Sequence, residues 1–520
     1  MGGSVPDGLK LNTTSGVVSG TPTGGGTWYF EAMVTDATGV TVDNGFLSIQ
    51  INSSAGPGNP VPFLNQPLVP TAISPGAAGF TLGVSGTGIV SGATINFNRA
   101  QVATTFVDSE HLTAVVPAPD VANAGTAMVT VVNPGPGGGA SNAVYFQVAA
   151  PETTVNFANA TNSPLQTPEP FGIAAADFNE DGKLDLAISA NVRMYVFLGN
   201  GDGTFAPSAT SPVSVPSPPY DDFASPYLGP IAVGDFNHSG HQGLAVGEFQ
   251  NEAAVILLGN GNGSFAPSSA SFANAFAMPI NALDAADFNA DGNLDVAIVN
   301  GVGYQSLVAL GYGNGAFNTA GELPDTLGFS VGAVAGDFNA DGKLDVVAAN
   351  SGVTTNGSPG SGVAVSLGNG DGTFTLANGS PISVGNSLSA IVAADFNGNG
   401  KLDLAVTDSV GNTVIILLGN GDGTFGVPTT IPVGNGPDAI VAGDFNNDGK
   451  LDLAVANFTD NTITLLLGNG DGTFTQAAGS PYAVGHGPFQ IAVADFNGDG
   501  KLDLAVANST DGTISILLQQ

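Results

Sequence analysis

The chain has 520 residues, of which 42% are hydrophobic and only 10% charged, with a formal net charge of −35. Only eight residues are basic, too few for a cationic patch, so neither nucleic acid nor an anionic membrane surface is an expected partner. There is no cysteine, which removes disulfides, zinc–thiolate sites and cysteine nucleophiles, and no apolar run approaches the roughly 18–20 residues that cross a bilayer.

Low charge with many glycines could signal disorder, but strand-like runs such as "LDLAVAN" recur, and the expected fold is all-β with glycine turns. Residues 1–53 hold the strands "WYFEAMVTD" and "GFLSIQIN". They resemble the second half of the immunoglobulin-like domains of bacterial surface proteins, so a truncated β-sandwich is expected. The opening "MGGSVPDGLKLN" has neither the charged start nor the apolar stretch of a signal peptide. The expectation is a secreted or surface protein whose export signal lay upstream. A Gly/Pro-rich linker spans 54–60.

Residues 61–149 contain short strands between turn clusters, which suits a second small β-sandwich. With its "NPGPGGGASN" tail, it resembles the IPT/TIG immunoglobulin-like family. Both domains read as spacers, and His111 as an ordinary surface histidine.

From 150 to 520 the sequence repeats with a period of roughly 50, the signature of a propeller or solenoid. Each unit opens with an apolar strand ending in Asp-Phe-Asn, at Asp177, Asp235, Asp287, Asp337, Asp395, Asp444 and Asp495. A polar loop, a strand like "LDLAVAN", a third strand, a glycine turn like "LGNGDGTF" and an outer strand from its Phe follow. Four strands per unit make one propeller blade. The last unit stops one strand short, at "TISILLQQ", while Phe157 and Pro164 repeat the outer-strand spacing ahead of the first unit. That spare strand predicts a closed, seven-bladed ring with no exposed edge.

The loops carry the chemistry. Six read D-x-N-x-D-G-x-x-D or nearly so, and Ca²⁺ takes six to eight oxygen ligands at about 2.3–2.6 Å. Side chains at positions 1, 3, 5 and 9, with the position-7 carbonyl, supply such a set, while the position-7 side chain faces solvent. The candidate ligands are Asp177, Asn179, Asp181, Lys183 and Asp185; Asp287, Asn289, Asp291, Asn293 and Asp295; and Asp337, Asn339, Asp341, Lys343 and Asp345. The remaining three loops supply Asp395, Asn397, Asn399, Lys401 and Asp403; Asp444, Asn446, Asp448, Lys450 and Asp452; and Asp495, Asn497, Asp499, Lys501 and Asp503. Asn399 replaces a carboxylate and weakens its site. Position 12 lies in a strand (Val455, Val506) where an EF-hand needs Glu. The second loop, "DFNHSGHQG", keeps only Asp235 and reads as a unit that has lost its ion, despite His238 and His241.

The Asp-Phe-Asn loops and "LGNGDGTF" turns resemble the FG-GAP (VCBS-type) repeats of integrin α-subunits, fungal propeller lectins and bacterial secreted proteins. The resemblance implies a propeller with structural calcium in about six loops, and partners docking at the other loops or between blades. No catalytic constellation stands out; His486 takes a slot held by Asn435 and Asn386 in sister repeats. The expected function is adhesion or binding of a glycan or extracellular protein, as a monomeric propeller in a larger multidomain chain. A structural spacer and a polysaccharide lyase or hydrolase are the alternatives. The long connection before the second unit offers Tyr220, Asp222, Phe223 and Tyr227 as ligand contacts.

Overall fold

The computed structural model describes residues 9–11, 18–20, 26–35, 41–51 and 58–520, apart from 216–226, 249–252, 269–271, 274–279, 302–305, 325–328 and 353–360. The chain divides into two compact units, Met1–Gly58 and Asn59–Gln520. In the first, Gly26–Thr35 pairs antiparallel with Thr41–Ile51, and Leu9–Leu11 with Val18–Gly20. These pairs contain the strands expected from the sequence.

The second unit begins with two sheets over 63–148 that share one core. One sheet includes Phe80–Thr87 and His111–Val116, and the other Gly125–Asn133 and Val144–Val148. Leu82, Ile95, Val129 and Phe146 fill the space between them. Alternation decides which face is buried: in "HLTAVV" the residues Leu112, Ala114 and Val116 point inward. His111 is exposed and bonded to Asp108 at 2.8 Å.

From residue 157 onward the described strands form seven antiparallel sheets. The first contains Pro170–Ala176, Asp185–Ala190, Arg193–Gly199 and Phe205–Pro207, with Val213–Ser214 extending the outer edge. Five more repeat this order. In the seventh, Pro488–Ala494, Asp503–Asn508 and Thr513–Gln519 are joined by Phe157–Asn159, Phe157 facing Gln519. The strand ahead of the first unit therefore completes the last sheet. The second strand of every sheet is buried along its whole length. It is covered on both faces by neighbouring sheets, which is why it reads as a near-continuous apolar run.

Paired phenylalanines join one sheet to the next. The Phe after each loop-opening Asp meets the outer-strand Phe of the following sheet: Phe178 with Phe265, Phe236 with Phe317, Phe288 with Phe374, Phe338 with Phe425, and Phe396 with Phe474. Phe445 meets Phe157 and Phe496 meets Phe205, so the succession returns to its start. Ring centroids lie 5.4–6.2 Å apart, mostly edge to face, the arrangement aromatic quadrupoles favour. The protein is all-β, with repeated sheets consistent with a propeller. Among the described residues the one helical element is the short 3₁₀ turn Ala118–Val121.

The fifth sheet departs from the expected pattern. Its outer strand is Thr429–Pro432, and Phe425 makes only an isolated bridge to Gly419. Pro428 has no N–H to give the ladder, so pairing resumes one residue beyond it.

Candidate metal centre: the acidic loops

Each loop follows the first strand of its sheet. In the first, Asp177 accepts from the Asp181 N–H through Oδ1 (3.1 Å) and from the Gly182 N–H through Oδ2 (2.8 Å). Asn179 Oδ1 also accepts from the Asp181 N–H (2.9 Å), and Asp181 Oδ1 from the Lys183 N–H (2.9 Å). Position 4 has positive φ in Glu180, His238, Ala290, Ala340 and Asn447, as it does in Gly398 and Gly498. The frame recurs around Asp287, Asp337, Asp395, Asp444 and Asp495.

The ninth position has a task that the motif did not disclose. Asp452, fully buried, accepts from the Phe445 N–H at 2.9 Å and, across the sheet, from the Gly468 N–H at 2.8 Å. Asp185, Asp295, Asp345 and Asp403 do the same with Gly199, Gly311, Gly368 and Gly419, and Asp503 with Gln519. The carboxylate latches the loop to the glycine turn. A Cβ at Gly468 would meet the Leu451 carbonyl, which explains the glycine there.

The electrostatics are those of crowded, partly desolvated acids. Burial pushes Asp452 and Asp503 up to about 8 and Asp345 to about 7, and repulsion from the acids at positions 1 and 5 adds to each shift. Burial also raises Asp185 and Asp403 to about 6, and Asp295 well above the usual range. The glycine-turn acids move the other way: Asp202, Asp371, Asp422 and Asp471 are held low, first by hydroxyl donation from Thr204, Thr373, Thr424 and Thr473.

Oxygen donors at positions 1, 3, 5 and 9, with the position-7 carbonyl, are of the chemistry that Ca²⁺ takes. Their mutual repulsion is what a dication relieves. As the loops stand, these oxygens are turned onto backbone N–H groups. Among the described residues no three acidic or histidine side chains converge to hold a metal. The lysines at position 7 are also more engaged than expected: Lys401 Nζ donates to the Asn420 carbonyl and Lys501 Nζ pairs with Glu152, each at 2.6 Å.

The sandwich of residues 61–149 lies on this loop end, a contact the sequence did not foretell. Arg99 pairs with Asp177 Oδ2 (2.6 Å), the Val61 N–H donates to Asp287 Oδ2 (2.8 Å), and Thr71 Oγ1 to Asp444 Oδ2 (2.8 Å). The Asp395 N–H donates to the Gln66 carbonyl at 3.2 Å, and Phe63 packs beside Phe288 and Ala335. Between the two parts lies a cavity of about 440 Å³ lined by Arg99, Tyr145, Asp177, Lys183 and Asp495.

The second loop keeps its turn through Asp235, which accepts from the Ser239 and Gly240 N–H groups. Its histidines bond sideways, His241 to Glu180 at 2.6 Å and His238 to Asn293 at 2.9 Å. At the other end of the sheets His486 contacts Asp511 as Asn435 contacts Asp460 and Asn386 contacts Asp408. Tyr227 is 37% exposed, just before the strand Leu228–Gly234. Tyr220, Asp222 and Phe223 lie outside the described residues.

No curated protein matches the chain. Among solved structures, an auxiliary nutrient binding protein from Bacteroides ovatus is 11% identical, covering 88% of this chain and 98% of that one with a TM-score of 0.37. BBS1N in complex with ARL6DN is 13% identical over 70% of this chain and 96% of that one, with a TM-score of 0.45. A periplasmic gluconolactonase from Pseudomonas aeruginosa is 13% identical over 70% and 94%, with a TM-score of 0.42. At these scores the likeness carries nothing about ligand or activity. The "Putative Ig domain" family matches residues 1–52. The FG-GAP-like repeat family matches six overlapping stretches: 177–246, 235–298, 287–348, 337–406, 395–455 and 444–506. Together they take in more than half of the chain, which therefore belongs to the FG-GAP-like repeat family.

Proposed function

We propose that residues 150–520 form a seven-bladed β-propeller with structural Ca²⁺ in about six loops, and that it serves outside the cell or at its surface as a binding module for a glycan or an extracellular protein. In each loaded loop, positions 1, 3, 5 and 9 and the position-7 carbonyl hold the ion, which supplies charge neutralisation. Residues 1–53 and 61–149 act as immunoglobulin-like and IPT/TIG-like supports.

The difference between the two ends of the sheets carries this reading. At one end the acidic loops repeat with the same hydrogen bonds and meet the sandwich. At the other end the connections vary from sheet to sheet, from "SVPSPPYDDFASPY" before the second to "PVGNG" before the sixth. Binding surfaces are built on such irregular loops over a regular scaffold. The sandwich contacts also favour a second, narrower reading, in which the propeller is a rigid structural element of a longer assembly.

A glycan and polysaccharide binding screen of the full chain, in calcium and in chelator, separates the two. Calcium-dependent binding weakened by Tyr227→Ala supports the binding module. Folded, calcium-loaded protein that retains no glycan and captures no extracellular protein supports the structural element.

A further inference from the structure

The first strand of each sheet, its inner strand opposite the outer one, contains a register shift near its start, on the end away from the acidic loops. The shifts fall between Pro170 and Gly172, Leu228 and Ile231, Ile280 and Ala282, Ser330 and Gly332, Leu388 and Ile391, Pro437 and Ala439, and Pro488 and Gln490. A bulge leaves one residue out of the ladder and re-aims its side chain. Where that residue carries a donor, it reaches the carbonyl that opens the next inner strand: Asn281 Nδ2 donates to Ser330 (2.8 Å) and Ser389 Oγ to Pro437 (2.6 Å). Where it is aromatic it meets its counterpart in the next sheet, Phe489 against Phe171 with centroids 5.5 Å apart. The bulged side chains thus run in one sense round the succession of sheets.

Asp438 holds this position in the sixth sheet, and the repeat places the Pro488 carbonyl and the Phe489 ring before it. A carboxylate cannot donate to a carbonyl, so by the repeat two acceptors take the places that a donor and an acceptor hold in the third and fifth sheets. Among the described residues no hydrogen bond or ion pair engages the Asp438 carboxylate. Burial alone pushes its carboxyl up to about 6. The gap calls for a group with several N–H donors and positive charge, and the adjoining aromatic pair suits one.

We propose that Asp438, the Pro488 carbonyl and the Phe489–Phe171 pair form a binding site for a protonated primary amine. Its N–H groups bridge the carboxylate and the carbonyl, and its alkyl stem lies on the rings. The site stands apart from the glycan reading and from calcium loading. Two sources share this chemistry: a free alkylamine and a lysine side chain of a partner protein.

The test measures thermal stabilisation and heat of binding of the full chain at about pH 8, where the carboxylate is ionised. The probes are cadaverine, N-acetyl-lysine methylamide, and its ε-acetylated form as the neutral control. The wild type should respond to amine and not to the control. Asp438→Asn, whose amide can donate to Pro488 as Asn281 does to Ser330, should fold and lose the response. Phe489→Leu should weaken binding several-fold and serves if the Asn variant does not fold. Response to the lysine derivative alone assigns the site to a protein lysine, and equal response to both assigns it to free amines. No response in folded wild type, or equal responses in wild type and Asp438→Asn, overturns the proposal.

Discussion

The second loop and its six sisters adopt the same turn with different numbers of acids. Asp235 alone holds the Ser239 and Gly240 N–H groups as Asp444 holds those of Asp448 and Gly449. The turn thus keeps its first Asp and the glycine after position 5, while a hydroxyl, Ser239 Oγ, takes the residue-7 N–H that an acid takes elsewhere. Position 9 does a separate job: Gly243 stands there in the second sheet, so no carboxylate joins its turn to Gly259, whereas Asp452 ties Phe445 to Gly468. Position 5, where Asp448 accepts one backbone N–H, that of residue 7, and pairs with the Lys450 ammonium at 3.6 Å, is the acid the fold needs least. It is the one most readily explained by a cation.

Substitutions separate these roles. The largest effect is expected for Asp452→Ala, which orphans two buried N–H donors at about 1–3 kcal/mol each. Urea denaturation of the metal-free chain should show a loss of about 2–5 kcal/mol; a loss below about 1 kcal/mol would remove the latch.

Next comes pH. A carboxyl raised by folding keeps its proton while the unfolded chain has lost it, so the folded state binds more protons over that window and stability falls as pH rises. With Asp452 and Asp503 near 8 and Asp345 near 7, against an ordinary 3.8, the metal-free chain should lose stability from about pH 4 to about pH 8 and level off above. Calcium should flatten the slope by holding the acids ionised. Melting temperatures across pH, in calcium and in chelator, check this.

Asp448→Asn should leave metal-free stability within about 0.5 kcal/mol, because the amide oxygen can still accept from Lys450. It should remove one calcium site, as counted by calorimetry. A small effect is also expected for Arg99→Ala. Arg99 is 43% exposed, so the loss of its pair with Asp177 should cost no more than about 1 kcal/mol in thermal unfolding.

Much of this frame was legible in the sequence. The seven Asp-Phe-Asn triplets marked the seven sheets, and the phase of Phe157 marked the strand that completes the last. Local spacing identifies a loop but not its neighbours in space. The pairing of Phe178 with Phe265 and the seating of Arg99, Val61 and Thr71 on the loop acids join residues from different repeats or domains, and the latch of Asp452 joins two strands of one sheet 16 residues apart. Nor does a carboxylate's place in a motif reveal whether it serves the backbone or an ion. Position 9, expected to close a ligand shell, bonds two N–H groups here.

The most direct test of structural calcium is titration of the chelated full chain with Ca²⁺ by calorimetry, paired with its melting temperature. About six ions should bind, and saturation should raise the melting temperature by several degrees. A folded chain that takes up no calcium, with the same melting temperature in chelator and in calcium, would contradict it.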